Sequence, residues 1–352
     1  MPDQALLPDL LAALPLPTLA INRAERIVAI NEAAISLIGT GAEGRHFVTV
    51  LRQPTLVETV EQCLRDAKPR TATYLAGDVG KELTYSVSVR AVDATKTLIL
   101  TFDDITHEAE AGQIRRDFVA NVSHELRTPL TALMGFIETL SGPAKDDPAA
   151  RERFLQIMAG EAGRMNRLVG DLLSLSRVEA EERVRPTDKV NLRKLLESTL
   201  RNLNPLAVDN DVQLLPAFDT APEEIIADAD QLLQVFTNLV ENAIKYGGRD
   251  SRVEIFSETF ERDPTLRSPS VRVTVRDHGP GIDPLHIPRL TERFYRADSH
   301  RSRALGGTGL GLAIVKHILN RHRGRLRVTS ELGKGASFVV ILPLENRPLR
   351  DS

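Results

Sequence analysis

The sequence predicts a multidomain α+β protein in three parts: a small N-terminal α+β domain, an antiparallel helical hairpin and a C-terminal α/β sandwich. Its 352 residues are too many for one ordinary hydrophobic core and suit two or three domains. The middle of the chain shows only the apolar spacing of helices, whereas the last part alternates helical and strand-like runs. Hydrophobic residues make up 42% and charged residues 26% of the chain, as in ordinary folded domains.

The composition excludes several classes of protein. A net charge of −3, no tryptophan and 4% aromatic residues provide neither the basic surface nor the stacking platform of a nucleic-acid-binding protein. No nucleic acid is therefore expected as a partner. The single cysteine, Cys63, allows no internal disulfide and no thiolate metal cage, which fits a reducing cytoplasm.

No targeting or membrane-spanning segment is predicted at the N-terminus. The first residues lack the basic region of a signal peptide, and the apolar stretch 6–21 contains Asp9 and three prolines. We therefore expect a cytoplasmic chain with no membrane span, associated with a membrane only if it is a fragment or pairs with a membrane partner.

Residues 1–107 are predicted to form a small α+β domain. An apolar helical stretch (LLPDLLAAL) precedes PTLAINRAERIVAINEAA, which predicts a strand, a tight turn, a strand and the start of a helix. ELTYSVSVRAV and KTLILTFDDI alternate apolar and polar residues, as half-buried antiparallel strands do. The ending LILTFDDIT runs directly into a helix and resembles the exit of PAS domains. The resemblance implies a PAS-like sensor domain, with a dimerising spacer as the alternative.

Residues 108–182 are predicted to form two antiparallel helices. In the first, apolar residues follow steps of three and four, with an extra four-step near Pro129, which should bend the helix. SGPAKDDP then separates the two helices. Because one hairpin leaves apolar surface exposed, we expect a four-helix-bundle homodimer. The two apolar seams consist of Val119, Val122, Leu126, Leu130, Leu133, Ile137 and Leu140, and of Met158, Met165, Leu168, Leu172 and Leu175.

Residues 183–348 alternate helices and strands. VNLRKLLESTLRNL and ADQLLQVFTNLVENAIKYGG have helical spacing, and RVEIFS, VRVTVRD and SFVVILPL have the pattern of strands. We expect an α/β sandwich with glycine clusters in its loops.

The motif NVSHELRTPL contains the first candidate site. His124 lies two residues from both Val122 and Leu126, so on a helix it points about 200° away from the apolar seam. A core histidine would lie on that seam, which leaves an ordinary surface histidine or a reactive one. Glu125 is placed to accept a hydrogen bond from one ring nitrogen and to leave the other nucleophilic. Thr128 lies one turn further along the same face, where it could hold a water or a phosphoryl oxygen.

The longer block FVANVSHELRTPLTAL is similar to the phosphoacceptor box of two-component sensor histidine kinases (HisKA plus HATPase_c type). It is close to the version in PhoR-like phosphate-regulon sensor kinases. The resemblance implies that His124 becomes a phosphoramidate, that Glu125 acts as the base and that Thr128 serves dephosphorylation.

A second block, DADQLLQVFTNLVENAIKYG, places Asn238, Asn242 and Lys245 on one face of a helix. Two amides on an otherwise apolar helix need polar partners, because burying each unpaired would cost about 1–3 kcal/mol. A satisfied amide pair in a core and a site for Mg²⁺ and phosphate both meet this need. The block resembles the N box of histidine kinases, which implies that Asn242 holds the magnesium and that Asn238, Lys245 and Tyr246 face the ATP.

The strand VRVTVRDHGPGI ends in Asp277, which is followed by Gly279 and Gly281. An ordinary tight turn explains these glycines equally well. The block also resembles the first glycine box (D-x-G-x-G) of the same family. That resemblance implies that Asp277 accepts a hydrogen bond from the exocyclic amine of adenine while the glycines let the base approach the backbone.

The last block, ALGGTGLGLAIVKHIL, opens an apolar helix with a run of glycines. Such a helix start can bind anions, although the block has neither a dinucleotide fingerprint nor a Walker loop. It resembles the second glycine box and ATP lid, which implies nucleotide contacts from Gly307, Thr308, Gly309, Leu310 and Gly311. LTERFYRAD upstream resembles the F box, with Phe294 packing and Arg296 or Arg303 reaching the phosphates.

Together the boxes cover roughly residues 112–345 and imply a Bergerat (GHKL) fold for the third domain. They imply autophosphorylation of His124 by ATP with Mg²⁺, transfer to an aspartate of a response regulator, and a phosphatase activity toward it. The PhoR-like box favours phosphate-regulon control. Two alternatives stay open. One is another GHKL ATPase of the gyrase or chaperone type, which usually has a glutamate where Asn238 stands. The other is a non-catalytic nucleotide-binding interaction protein.

Overall fold

The structure is a computed structural model that describes residues 6–78, 81–218, 224–248, 250–298 and 307–344. The chain forms two compact units, Met1–Ala120 and Asn121–Ser352. The boundary between them falls within one long helix.

The first unit is built on a five-stranded antiparallel sheet in the order β2-β1-β5-β4-β3. The predicted succession of helix, strand, turn, strand and helix is confirmed, as are the two later strands. The helix at 54–66 and the strand at 70–78 were not predicted. The elements are α1 (Leu6–Ala12), β1 (Thr18–Asn22), β2 (Ile27–Ile30), α2 (Glu32–Ile38), α3 (Phe47–Leu51), α4 (Pro54–Asp66), β3 (Arg70–Asp78), β4 (Lys81–Val92) and β5 (Thr97–Asp104).

The core of this unit lies between the sheet and α4. Helix α4 buries Leu56, Val60 and Cys63, which belong to the same cluster as Phe102 of β5. Burial raises the pKa of the Cys63 thiol, so the side chain behaves as a small apolar group.

The buried side chain of Asn31 connects α1, β1 and α2 by hydrogen bonds. Its Oδ1 accepts from the backbone N–H of Thr18 and of Ala34, at 2.9 Å each. Its Nδ2 lies 2.8–3.2 Å from three backbone carbonyl oxygens, that of Leu11 in α1 and those of Leu14 and Leu16 between α1 and β1. One residue thus caps α2 and holds the segment between α1 and β1 against it.

A hydrogen-bonded corner joins β5 to helix α5 (Thr106–Ser141). The backbone N–H of Thr84 donates to the Thr106 hydroxyl at 2.9 Å, and the N–H of Ile105 donates to the Thr84 carbonyl at 2.9 Å. Hydrogen bonds from Thr106 hold the pKa of Asp104 below its usual value. The helix is therefore tied to β4 as well as to the strand that leads into it.

Helix α5 continues through Pro129 and pairs with α6 (Pro148–Glu181), so the predicted hairpin and its loop are confirmed. Asp147 caps α6 by accepting from the N–H groups of Ala149 and Ala150, both at 3.0 Å. Several seam residues stay exposed in the single chain, among them Leu130 and Ile137. None of the helices in the described part of the chain is both long and apolar enough to cross a membrane.

The rest of the second unit is an α/β sandwich, as predicted. Its five-stranded sheet has the order β11-β12-β10-β9-β7, in which only the β7–β9 pair is parallel. Three helices pack on one another and on the sheet, and a two-stranded ribbon, β6–β8, lies beside them. The elements are β6 (Lys189–Val190), α7 (Leu192–Asp209), β7 (Val212–Ala217), β8 (Ile225–Ile226), α8 (Ala229–Gly247), β9 (Ser251–Phe260), β10 (Ser270–Asp277), α9 (Gly311–Arg321), β11 (Arg325–Ser330) and β12 (Ala336–Pro343).

Candidate functional site

A cavity of about 740 Å³ opens beside α8 in the second unit. The end of β10, the start of α9, the segment 280–298 and helix α6 form its other walls. Most of the predicted nucleotide residues line it, whereas Gly279 and Leu310 do not. Those that do are Asn238, Asn242, Lys245, Tyr246, Asp277, Gly281, Gly307, Thr308, Gly309 and Gly311.

Helix α8 provides the amide-lined wall of the cavity. Asp228 caps its N-terminus by accepting from the N–H of Gln231 at 3.1 Å, and its opposite face is buried in the core. Asn238 donates weakly to the Gly311 carbonyl at 3.4 Å, and Lys245 pairs with Glu241 at 2.7 Å. In the part of the chain that the structure describes, no hydrogen bond occupies the Asn242 amide.

Asp277 forms the floor of the cavity at the end of β10. Its Oδ1 accepts from the N–H of Gly279 at 3.0 Å and of Ala336 at 3.3 Å. Burial raises the pKa of this carboxyl group, although the backbone hydrogen bonds act in the opposite direction. Gly279 therefore serves to orient Asp277 rather than to line the cavity.

Two glycines are required where the backbone passes very close to another segment. Gly281 has φ of 75°, and a Cβ there would meet the Glu331 carbonyl oxygen and lie 2.8 Å from its carbonyl carbon. Gly309 also has φ of 75°, and its Cβ would lie 2.8–3.0 Å from the backbone atoms of Phe294. Both positions combine a left-handed conformation with close backbone contact, which only glycine accepts without strain.

The segment before α9 is held by its polar side chains. Thr308 donates through its hydroxyl to Oδ2 of Asp171 on α6 at 2.6 Å, and its carbonyl accepts from Arg296 at 3.0 Å. Leu310 is fully buried, which explains why it does not reach the cavity. Arg303, one of the two predicted phosphate-binding arginines, lies outside the described residues.

The phosphoacceptor motif lies on α5, with His124 exposed. Glu125 is bound by Arg164 of α6 at 3.1 Å and by Arg296 at 3.0 Å. Among the described contacts its carboxylate therefore pairs with two guanidinium groups, where the sequence led us to expect the ring of His124. The Thr128 hydroxyl donates to the backbone carbonyl of His124 at 3.2 Å.

Two family descriptions match this chain. Residues 114–181 match the His Kinase A (phospho-acceptor) domain, and residues 227–346 match the Histidine kinase-, DNA gyrase B-, and HSP90-like ATPase family. The sensor protein kinase WalK of Staphylococcus aureus is 32% identical over 337 residues, which are 93% of this chain and 78% of that relative. The chain belongs to the sensor histidine kinase family.

A further relative of this sensor histidine kinase agrees with the assignment, and a solved structure shares its fold. The phosphate regulon sensor protein PhoR of Pseudomonas aeruginosa is 43% identical over 236 residues, 67% of this chain and 51% of PhoR. The histidine kinase ThkA, solved in complex with the response regulator protein TrrA, shares the fold with a TM-score of 0.53 at 22% identity, over 96% of this chain and 98% of ThkA. The chain spans about half the length of PhoR and of WalK from Staphylococcus saprophyticus, 51% and 53% respectively.

The site of this histidine kinase also contains residues that sequence reasoning missed. Asp171 and Arg167 of α6 line the cavity, together with Glu241 and His286. Burial raises the pKa of Asp171, and the nearby Glu241 carboxylate acts in the same direction. Asp171 and Arg167 belong to the helical hairpin, so no pattern within the sandwich could have indicated them. Glu241 was detectable, because it lies one residue before Asn242 and four before Lys245.

Proposed function

We propose that this chain is an ATP-dependent protein-histidine kinase that phosphorylates its own His124 and passes the phosphoryl group to an aspartate of a response regulator. The observation that carries the proposal is the cavity in which Asn238, Asn242, Lys245 and Asp277 converge, within the same unit as the exposed His124. ATP and a phosphoacceptor histidine are the two reactants that this combination serves.

In the proposed complex, Asp277 accepts a hydrogen bond from the adenine amine at the floor of the cavity. Asn238 and Lys245 lie on the same face of α8, where they would contact the phosphates, with Tyr246 beside them. The glycine backbone at 307–311 can donate N–H groups at the start of α9, where the helix dipole favours anions.

Asn242 fits a magnesium ligand. Its amide oxygen is a hard donor, its side chain lines the cavity, and Glu241 stands next to it. When bound there, Mg²⁺ would neutralise charge on the transferring phosphoryl group.

The chemical step would join a ring nitrogen of His124 to the γ-phosphorus while the bond between that phosphorus and the β,γ-bridging oxygen breaks, leaving ADP. The attacking nitrogen must be unprotonated, and Glu125 is the neighbouring carboxylate that could accept the proton released from the other ring nitrogen. A response-regulator aspartate would then accept the phosphoryl group. Thr128 would serve the opposing phosphatase activity, by orienting a water that attacks the phosphoryl-aspartate of the regulator and releases inorganic phosphate.

Three further assignments belong to this proposal. The N-terminal unit would be a PAS-like sensor, which its five-stranded antiparallel sheet with intervening helices supports. The exposed seam residues of α5, such as Leu130 and Ile137, would be covered in a homodimer, together with the apolar side chains of Val169 and Leu173 that are exposed on α6. Phosphate-regulon control is the assignment that the relationship to PhoR favours.

The test is incubation of the purified chain with γ-labelled ATP and Mg²⁺, followed by acid and base treatment. We expect a label that is acid-labile, base-stable and absent from His124→Gln. His107→Gln is the matched control, because it changes another exposed histidine of α5. Label that survives in His124→Gln would refute the assignment of the phosphoacceptor. Nucleotide binding without any label would favour a role as regulator phosphatase, which a phosphorylated regulator would then reveal.

A further inference from the structure

We propose that Arg296 is shared between Glu125 and the triphosphate of ATP, so that nucleotide binding and the Glu125–Arg296 pair compete. Binding of ATP would then free the carboxylate beside the phosphoacceptor histidine. The inference rests on the proposed function, because it assumes that ATP occupies the cavity beside α8.

The surroundings of Arg296 support a dual role. Its side chain is only 6% exposed, and it lies at the wall of the cavity. Its Nη1 donates to Oε1 of Glu125 at 3.3 Å and its Nη2 donates to Oε2 at 3.0 Å. Nη2 also donates to the Thr308 carbonyl at 3.0 Å. Its Nε is buried and has no partner in the described part of the chain. A buried donor without an acceptor is costly, so the present arrangement leaves one hydrogen bond of Arg296 unmade.

Glu125 is constrained by the same contact. Its side chain is 22% exposed and lies between the guanidinium groups of Arg296 and Arg164. Both carboxylate oxygens are thus engaged by guanidinium donors, and no described hydrogen bond joins Glu125 to the ring of His124. Once Arg296 leaves, Arg164 is the one described cation that Glu125 retains, and it belongs to the same hairpin.

A triphosphate is a stronger competitor for this guanidinium than a single carboxylate. Arginine binds phosphate oxygens through two parallel N–H donors, and the several negative charges of ATP raise the attraction. Arg296 also holds the Thr308 carbonyl, so a shift of the guanidinium is felt at the start of α9. Nucleotide binding would thus change the availability of Glu125 and the position of the lid residues together.

The experiment measures equilibrium binding of β,γ-imido-ATP, a non-hydrolysable analogue, to the full chain. We expect Glu125→Gln to bind it about 3- to 5-fold more tightly, because the variant removes the competing charge of a partly buried ion pair. Glu179→Gln is the matched control. It removes the same charge from another ion pair between the hairpin and the sandwich, that of Glu179 with Arg293 at 2.6 Å.

Comparison of Glu125→Gln with Glu179→Gln separates competition for Arg296 from a general weakening of the contact between the hairpin and the sandwich. Equal effects of Glu125→Gln and Glu179→Gln, or no effect of either, would overturn the proposal. In an Arg296→Gln background, Glu125→Gln should change the affinity less than 2-fold, as a double-mutant cycle requires. Arg296→Lys serves the same purpose if the glutamine variant does not fold, since lysine lacks the bidentate fork.

The outcome also distinguishes this inference from the proposed function. If the analogue binds the wild-type chain and Glu125→Gln equally, the competition is refuted while the kinase assignment stands. If the analogue binds neither the wild-type chain nor any variant, both the competition and the kinase assignment are refuted.

Discussion

Replacement of Gly281 by alanine tests whether the close backbone contact at the cavity is essential. The left-handed conformation at this position costs a residue with a Cβ about 1–2 kcal/mol. The added methyl group would also collide with the Glu331 carbonyl group and approach the Leu332 Cα to 3.0 Å, all of them backbone atoms. Overpacking of this kind typically adds about 1–3 kcal/mol. We therefore expect a loss of roughly 2–5 kcal/mol in the unfolding free energy of the sandwich.

Gly333→Ala provides the matched control for this substitution. Gly333 has nearly the same backbone angle, φ of 79°, but a Cβ there would have no atom within 4 Å. Only the conformational cost applies, so we expect a loss of about 1–2 kcal/mol. The difference between the two variants measures the steric contribution alone.

Hydrogen exchange of the β10 amides is the assay, because it reports the stability of the sandwich independently of the first unit. Nucleotide affinity is measured on the same samples, since the segment around Gly281 could move away from Glu331 and distort the cavity instead. The reasoning is refuted if Gly281→Ala matches Gly333→Ala in both stability and affinity.

Three other substitutions test separate features. Asn31→Ala leaves backbone groups around β1 without their side-chain partner and should lower the unfolding free energy of the first unit by roughly 2–4 kcal/mol. Hydrogen exchange of the β1 amides measures this loss, and exchange rates equal to those of the wild type would contradict the prediction. Thr106→Val removes the acceptor for the Thr84 amide, which should exchange about tenfold faster, whereas an unchanged rate would show that the corner is held by other bonds. Burial lowers the pKa of His322, whose Nε2 accepts from the Asp228 N–H, so only the neutral ring fits. The unfolded state then binds the proton first, and stability should fall as the pH drops below about 6.5. Denaturant unfolding measured at several pH values should show this loss of stability in the wild type and not in His322→Gln. Parallel pH profiles of the two proteins would refute the assignment to His322.

Much of the fold was predictable because the local pattern agreed with the final packing. Strands β4 and β5 alternate apolar and polar residues, and the helices α7 and α8 have one apolar face each, so periodicity located these four elements. Helix α4 was missed although its buried positions, Leu56, Val60 and Cys63, follow helical spacing. Strand β3 is exposed along much of its length and pairs only with β4, so its pattern carries little hydrophobic signal.

The candidate site was predictable where its residues come from one sequence block and not where they come from packing between blocks. Asn238, Asn242 and Lys245 lie on one helical face whatever the tertiary structure. Asp171 faces the cavity only because α6 lies against the segment before α9, where Thr308 binds its carboxylate. The side chain of Leu310 does not line the cavity; its block was assigned to the nucleotide as a whole, although this apolar side chain is fully buried.

The contacts between the hairpin and the ATP-binding domain are of a kind that permits movement. They include ion pairs in which the glutamate partners Glu125, Glu179 and Glu182 are 22–33% exposed. Ion pairs with such exposure contribute about 0–1 kcal/mol each, because solvent screens them and long side chains lose entropy in forming them. A ligand that takes over one partner therefore needs little free energy to shift the balance between contact and release. The partners of these glutamates across the contact are Arg296, Arg293 and His317. In the described part of the chain, Arg296 is the one of the three that both lines the cavity and has a buried donor without a partner. A small electrostatic change at the nucleotide could thus be converted into a different arrangement of the residue next to His124.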